Sequence, residues 1–158
     1  MRILAIIIAF MIQGCASTDT QSKGAAFQMH EQPSNGKSIA YFFQPDMAGV
    51  NACLLVGVDD IHKGCIGYPG FVKVEIDPGT RKISFTPNAL IKIANLSYEY
   101  NFEPNKVYYF EYQHFTSKAA SEKAVESHYN MILGYHLGWV SLEEQEALSK
   151  LKNLKAWK

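Results

Sequence analysis

The sequence predicts an all-β domain, an antiparallel β-sandwich closed by one C-terminal α-helix. Three observations predict it. Between residues 38 and 115, apolar side chains recur at every second position in short runs, the period of a half-buried strand. Turns built on proline, glycine and asparagine divide those runs at steady spacing. A helical stripe of leucines follows only after residue 141.

The elements follow in order. Ile39, Tyr41 and Phe43 make one face of a first strand, which Pro45 ends. Ala52, Leu54, Val56 and Val58 make a face of a second. Asp59-Asp60-Ile61-His62-Lys63-Gly64 reads as a turn into a short strand near Cys65, and Gly67-Tyr68-Pro69-Gly70 as another turn. Val72, Val74 and Ile76 alternate with Lys73, Glu75 and Asp77. In Asp77-Pro78-Gly79-Thr80 the proline pre-sets one backbone angle and the glycine tolerates a positive one. Ile83 and Phe85 lie between Lys82, Ser84 and Thr86. Residues 87–94 are less regular, a wide connection or an edge. Leu96, Tyr98, Tyr100 and Phe102 alternate with Ser97, Glu99 and Asn101, and the turn Glu103-Pro104-Asn105-Lys106 leads into the run 107–115. Residues 116–127 read as a loop or short helix, and 129–140 as a last strand weakened by Gly134 and Gly138. Ser141 and Glu144 fit a capping box. Leu142, Ala147, Leu148, Leu151 and Leu154 then form the stripe that packs on the sheet, with Lys150, Lys152 and Lys155 late in the helix, where they favour its dipole.

The start of the chain has a different character. Arg2 precedes ten unbroken apolar residues, 3–12, followed by Gln13, Gly14 and Cys15. A helix of ten residues covers roughly half of a ~30 Å hydrocarbon core. The run fits a removable secretory leader, with a cysteine where cleavage belongs. Residues 16–37 carry Ser, Thr, Gln and Gly with Pro33 and read as a mobile polar tether. The chain therefore divides into a leader (1–14), a tether (15–37) and a β-sandwich domain with its helix (38–158).

Ile12-Gln13-Gly14-Cys15 resembles the lipobox of bacterial lipoproteins. The resemblance implies cleavage between Gly14 and Cys15 and lipidation of Cys15. Several acyl chains on one cysteine make a firm anchor, since each buried methylene adds ~0.8 kcal/mol. Ala16 stands where an aspartate would imply inner-membrane retention, so the resemblance points to the outer membrane, facing the periplasm. Two later stretches, Val74-Glu-Ile-Asp-Pro-Gly-Thr-Arg-Lys-Ile83 and Phe102-Glu-Pro-Asn-Lys-Val-Tyr-Tyr-Phe110, resemble the turn-and-strand signatures of the lipoprotein family called domain of unknown function 2846. Asn105 stands where that pattern usually has glycine, and Arg81 where it often has histidine. The resemblance covers about residues 37–115. It implies a prealbumin-like or immunoglobulin-like sandwich and brings no established activity or catalytic residues.

Charge and chemistry narrow the function. The chain carries 15 basic and 15 acidic residues, and loss of Arg2 with the leader leaves a formal balance of −1. Without a basic block, nucleic acid is excluded as an expected partner. The expected partners are the membrane, through Cys15, and an envelope protein or glycan. No nucleophile elbow, zinc-protease motif or phosphate-cradling loop occurs, so no cofactor, metal or enzymatic activity is expected. The alternative is an enzyme acting on an envelope polymer, with Asp59, Asp60 and His62 near its site. The other histidines, His30, His114, His128 and His136, are scattered and read as surface or satisfied core residues.

In an exported chain Cys53 and Cys65 read as a disulfide or as two separate buried thiols. A metal site with His62 lacks a fourth ligand. Tyr98, Tyr100, Tyr108 and Tyr112 read first as core, through cross-strand pairs. A face left exposed would instead make a platform for sugar rings or a peptide.

Overall fold

The structure is a computed structural model that describes residues 24–29, 31–45, 53–87, 96–131 and 134–156. The leader, Gly14, Cys15, residues 16–23, Ala52 and the connection 88–95 lie outside these residues.

Two sheets face each other. The order in the first is β4 (Gly70–Ile76), β1 (Ser38–Gln44), β7 (Val107–Phe115), β9 (Tyr135–Ser141), β8 (Glu126–Asn130). The second runs β3 (Ile61–Ile66), β2 (Leu54–Val58), β5 (Gly79–Pro87), β6 (Leu96–Phe102). The all-β sandwich is therefore as the alternation predicts. It is not wholly antiparallel, because β1 and β7 pair in parallel, with Phe42 opposite Phe110. Strand neighbours of this kind come from distant parts of the chain, and local periodicity carries no signal for them.

Aromatic rings fill the space between the sheets. Phe42 stacks on Phe110 with ring centres 5.1 Å apart and meets Phe85 and Trp139 edge-on. Phe85 and Trp139 stack at 4.1 Å. Val56, Ile66, Val74, Ile76 and Ile83 complete this core.

All seven residues of β1 are buried. Ala40 and Phe42 face the other sheet, while Ile39, Tyr41 and Phe43 belong to a second cluster on the outer face. There α2 (Glu144–Leu151) lays Ala147 and Leu151, and Leu154 just beyond it, over Ile39, Tyr41, Phe43, Phe71 and Tyr109. The leucine stripe thus packs on the sheet as its spacing predicts. Lys150 ties the helix to β7, its Nζ 2.7 Å from the buried Glu111 carboxylate, which also accepts from Gln113. Burial opposes the charge on Lys150, but Glu111 and Glu146 outweigh it and hold the ammonium pKa above its ordinary value. The two polar ends of β1 are also satisfied. Ser38 Oγ donates to the Glu103 carbonyl and Gln44 Nε2 to that of Gly67.

Four local expectations change. The strand expected over 129–140 is a hairpin of β8 and β9. Gly134 takes φ +74° at its turn, and a Cβ on Gly138 would collide with the Glu126 backbone. Both glycines serve geometry that other residues would strain. The turn expected over 59–64 is only Asp59-Asp60, and β3 begins at Ile61. The capping box does not form. Ser141 pairs with Phe110 as the last residue of β9, the Leu142 amide donates to the Tyr109 carbonyl, and α2 starts from Glu143 without a side-chain cap. The sheet ladder holds this backbone extended past the position the cap would need.

The fourth change concerns the tether. Residues 24–29 and 31–37 form a strap docked on the body. Gly24 donates to the Ala156 carbonyl, Phe27 to that of Leu154, and Ala156 to that of Ala25. The Phe27 ring packs edge-on against Tyr41 and Phe71 at 5.2 and 5.8 Å. Ala156 in turn bridges Phe71 at the start of β4. The C-terminal segment and the strap thus cover one end of the β4 edge, which would otherwise present unpaired backbone groups. Composition marks this stretch as polar, yet its single aromatic supplies the contact.

Phe42→Ala removes a side chain with no exposed surface from the centre of the core. The substitution is expected to lower stability by about 3–5 kcal/mol, read as a fall in the urea unfolding midpoint with an unchanged slope.

Candidate functional site

Asp59 and Asp60 are the two central residues of the β2–β3 hairpin, with φ of +51° and +64°. Positive φ at both positions is the requirement of the tight hairpin turn whose twist matches the strands. Aspartate is among the few residues other than glycine that tolerate it. Asp59 Oδ1 accepts from the Lys82 amide at 3.1 Å and Oδ2 from Arg81 at 3.2 Å, while Asp60 accepts from Lys82 Nζ at 2.9 Å. The two carboxylates pin the hairpin to β5. They are engaged by basic partners rather than held as an acid and a base. His62 lies one residue into β3, exposed, beside a shallow hollow of about 270 Å³ that also touches Asp60, Ser84 and Thr86. That hollow is what the structure offers the enzyme alternative.

Cys53 and Cys65 form a disulfide with Cα atoms 5.6 Å apart, within the ordinary range for such bonds. It joins the start of β2 to the end of β3 and fastens the hairpin at the end opposite its turn.

The four tyrosines singled out for a platform point between the sheets. Tyr98 is buried, and Tyr100, Tyr108 and Tyr112 are partly buried against the same core. Tyr100 packs edge-on to Phe110 at 4.9 Å and to Tyr108 at 5.6 Å, and Tyr112 leans on Trp139 at 5.1 Å. The Tyr108 hydroxyl accepts from the Glu103 amide, closing the β6–β7 turn. They form core walls and no exposed platform, because apolar burial on the inner face exceeds what an open ring could gain.

Burial leaves some polar groups unmatched here. Among the described residues the Tyr98 hydroxyl, Trp139 Nε1 and both ring nitrogens of His128 lack a hydrogen bond of ordinary geometry. Burial pushes the Tyr98 phenol well above its ordinary pKa. Burial also pushes His128 down, against an opposing contact from the Leu137 backbone and with a further push from His136. His128 was expected to be a surface or satisfied residue. Its strand position does not announce that β8 turns it inward.

A larger groove, about 660 Å³, opens between the strap, β3 and β4. Glu31, Tyr41, His62, Lys63, Phe71 and Lys73 lie on its walls. Four consecutive residues of β3, 62–65, line it. A strand face would expose alternate residues, so the groove runs along the backbone edge of β3. Across it, Glu31 receives the Tyr41 hydroxyl at 2.7 Å and Lys73 at 2.9 Å. Lys73 and then Tyr41 hold the Glu31 carboxyl below its usual range, and burial followed by the Glu31 bond holds the Tyr41 phenol well above its own. The strap is thereby fastened by a charged bond as well as by Phe27. Polar spacing in the sequence did not mark Glu31 as its clasp.

Among the described residues no group of three or more His, Cys, Asp or Glu side chains could hold a metal ion. No helix among them is long and apolar enough to cross a membrane. Compared with known proteins, the chain matches no protein-family model and no curated protein. The resemblances to lipoproteins therefore rest on the residues quoted for them.

Two outcomes follow. Reducing the disulfide, or replacing both cysteines by alanine, opens a loop spanning a sequence separation of 12 and is expected to cost about 3 kcal/mol in chemical denaturation. For His128 the folded pKa lies below the unfolded value of about 6.5. The unfolded chain then takes up the proton more readily, so stability held above that pH is lost as pH falls below it. Thermal unfolding scanned downward from pH 7 should show this loss, and His128→Gln should flatten it.

Proposed function

We propose that the protein is a lipid-anchored bacterial envelope lipoprotein, tethered at Cys15 to the outer membrane and facing the periplasm, whose β-sandwich binds or scaffolds an envelope protein without catalysis. The observation that carries this reading is the order of residues 2–15: one positive charge, ten apolar residues, then Gln13, Gly14 and Cys15. The likeness of the two turn-and-strand stretches to the domain of unknown function 2846 supports it. The docking of the strap is compatible with it, because it holds Gly24, nine positions after Cys15, against the body. A glycan would need open aromatic faces. The tyrosines that could supply them are turned into the core, so a protein partner is the favoured one. The exposed backbone edge of β3 offers such a partner hydrogen bonds. Asp59 and Asp60 are held by Arg81 and Lys82, which weighs against the polymer-cleaving alternative.

Intact mass spectrometry of the protein extracted from cell envelopes is expected to find residues 1–14 removed and Cys15 acylated. Cys15→Ala is expected to lose the acyl mass and leave the outer-membrane fraction. An intact leader with a free thiol, or a cytosolic protein, overturns the reading.

A further inference from the structure

The C-terminal segment and β3 each bring a lysine beside the start of the strap, Lys155 next to Ala26 and Lys63 on the groove that Ala25 and Ala26 line. Gly24, the first residue of the strap, is bonded to Ala156. Lys155 pairs with Ala26, and its carbonyl accepts from the Phe71 amide. Lys152 closes α2 three residues earlier. Lys63 lies on the wall of the groove that Ala25, Ala26 and Ala156 also line, next to His62. Lys63, Lys152 and Lys155 are exposed, and none forms an ion pair among the described residues. Lys73, by contrast, is neutralised by Glu31. The acids of α2 sit at its opposite end, in Glu143, Glu144 and Glu146. A chain that is neutral as a whole therefore gathers uncompensated positive charge where the strap begins.

Eight residues, 16–23, separate Cys15 from Gly24. At about 3.3–3.6 Å per residue they reach at most about 30 Å, whatever their conformation. An anchor at Cys15 keeps Gly24 within that distance of the bilayer, a few Debye lengths at physiological salt.

We propose that the surface around Gly24, carrying Lys63, Lys152 and Lys155, rests on the anionic headgroups of the bilayer that holds Cys15. Attraction of lysines to acidic lipid orients the body with its strap toward the membrane and leaves the β8 edge turned away. The identity of that bilayer rests on the lipid-anchor reading, while the charge of the surface does not.

The test is co-sedimentation of a chain beginning at Ala16, which keeps every described residue. The vesicles are phosphatidylcholine alone or an equal mixture of phosphatidylcholine and phosphatidylglycerol. Binding is expected to the mixed vesicles only and is expected to vanish at about 0.5 M salt. The Lys63→Glu, Lys152→Glu, Lys155→Glu triple variant is expected to bind roughly 100-fold more weakly, with an unchanged circular dichroism spectrum. Lys118→Glu, at exposed α1 (Lys118–Ser121), is expected to bind like the parent. Equal binding to both vesicles, no binding to either, or full binding by the triple variant overturns the proposal. A protein found without acyl chains on Cys15 would end the anchor reading and leave this result standing, so the two failures are distinguishable.

Discussion

The burial of β1 on both faces is the constraint from which the rest of the structure follows. A strand in a two-layer sandwich ordinarily needs only one apolar face. Here Ala40 and Phe42 meet the second sheet, while Ile39, Tyr41 and Phe43 need a cover of their own. A surface of that size left open to water would cost several kcal/mol. The chain covers it from both ends, with α2 on one side and Phe27 of the strap on the other. The parallel pairing of β1 with β7 belongs to the same arrangement, since a strand in mid-sheet needs a partner on each edge, and β4 supplies the other.

Covering β1 from both ends brings the ends together. The strap and the C-terminal segment meet at Phe71, where they continue the first sheet past β4. This meeting point holds Gly24, nine positions after Cys15, against Ala156. It also sets Lys155, beyond the end of α2, beside the start of the strap. The packing requirement of one strand thus decides which side chains surround the start of the strap. The opposite wall of the groove is built independently, by a hairpin fastened at one end by the Cys53–Cys65 disulfide and at the other by Asp59, Asp60, Arg81 and Lys82.

Features with local physical causes were legible in the sequence. Alternation located the strands that surround the core. Pro78-Gly79 marked a turn at which Gly79 takes φ +103°, and Asn105 takes φ +60° at the turn where it was read as a stand-in for glycine. The leucine spacing gave the buried side of α2. What stayed hidden depends on distant partners. Nothing near Ile39 announces Val107 as its parallel neighbour. Ser141 and Glu144 have the spacing of a cap, but the ladder to β7 claims Ser141 first. The strap reads as a tether until Phe27 is placed beside Tyr41. The tyrosines of β6 and β7 alternate correctly, yet alternation alone does not say which face is inside. The Asp59-Asp60 pair reads in the sequence as a turn with chemistry as the alternative, and the structure places both residues at the β2–β3 turn.

The central claim is that residues 24–29 and 31–37 belong to the folded body, docked on the C-terminal segment and on β1. Hydrogen–deuterium exchange on the folded protein tests it most directly. The account predicts that the amides of Gly24, Phe27 and Ala156, which are bonded across the strap, exchange as slowly as those of β4. Exchange at free-chain rates from residue 24 through Lys37, with β1 still protected, would contradict it.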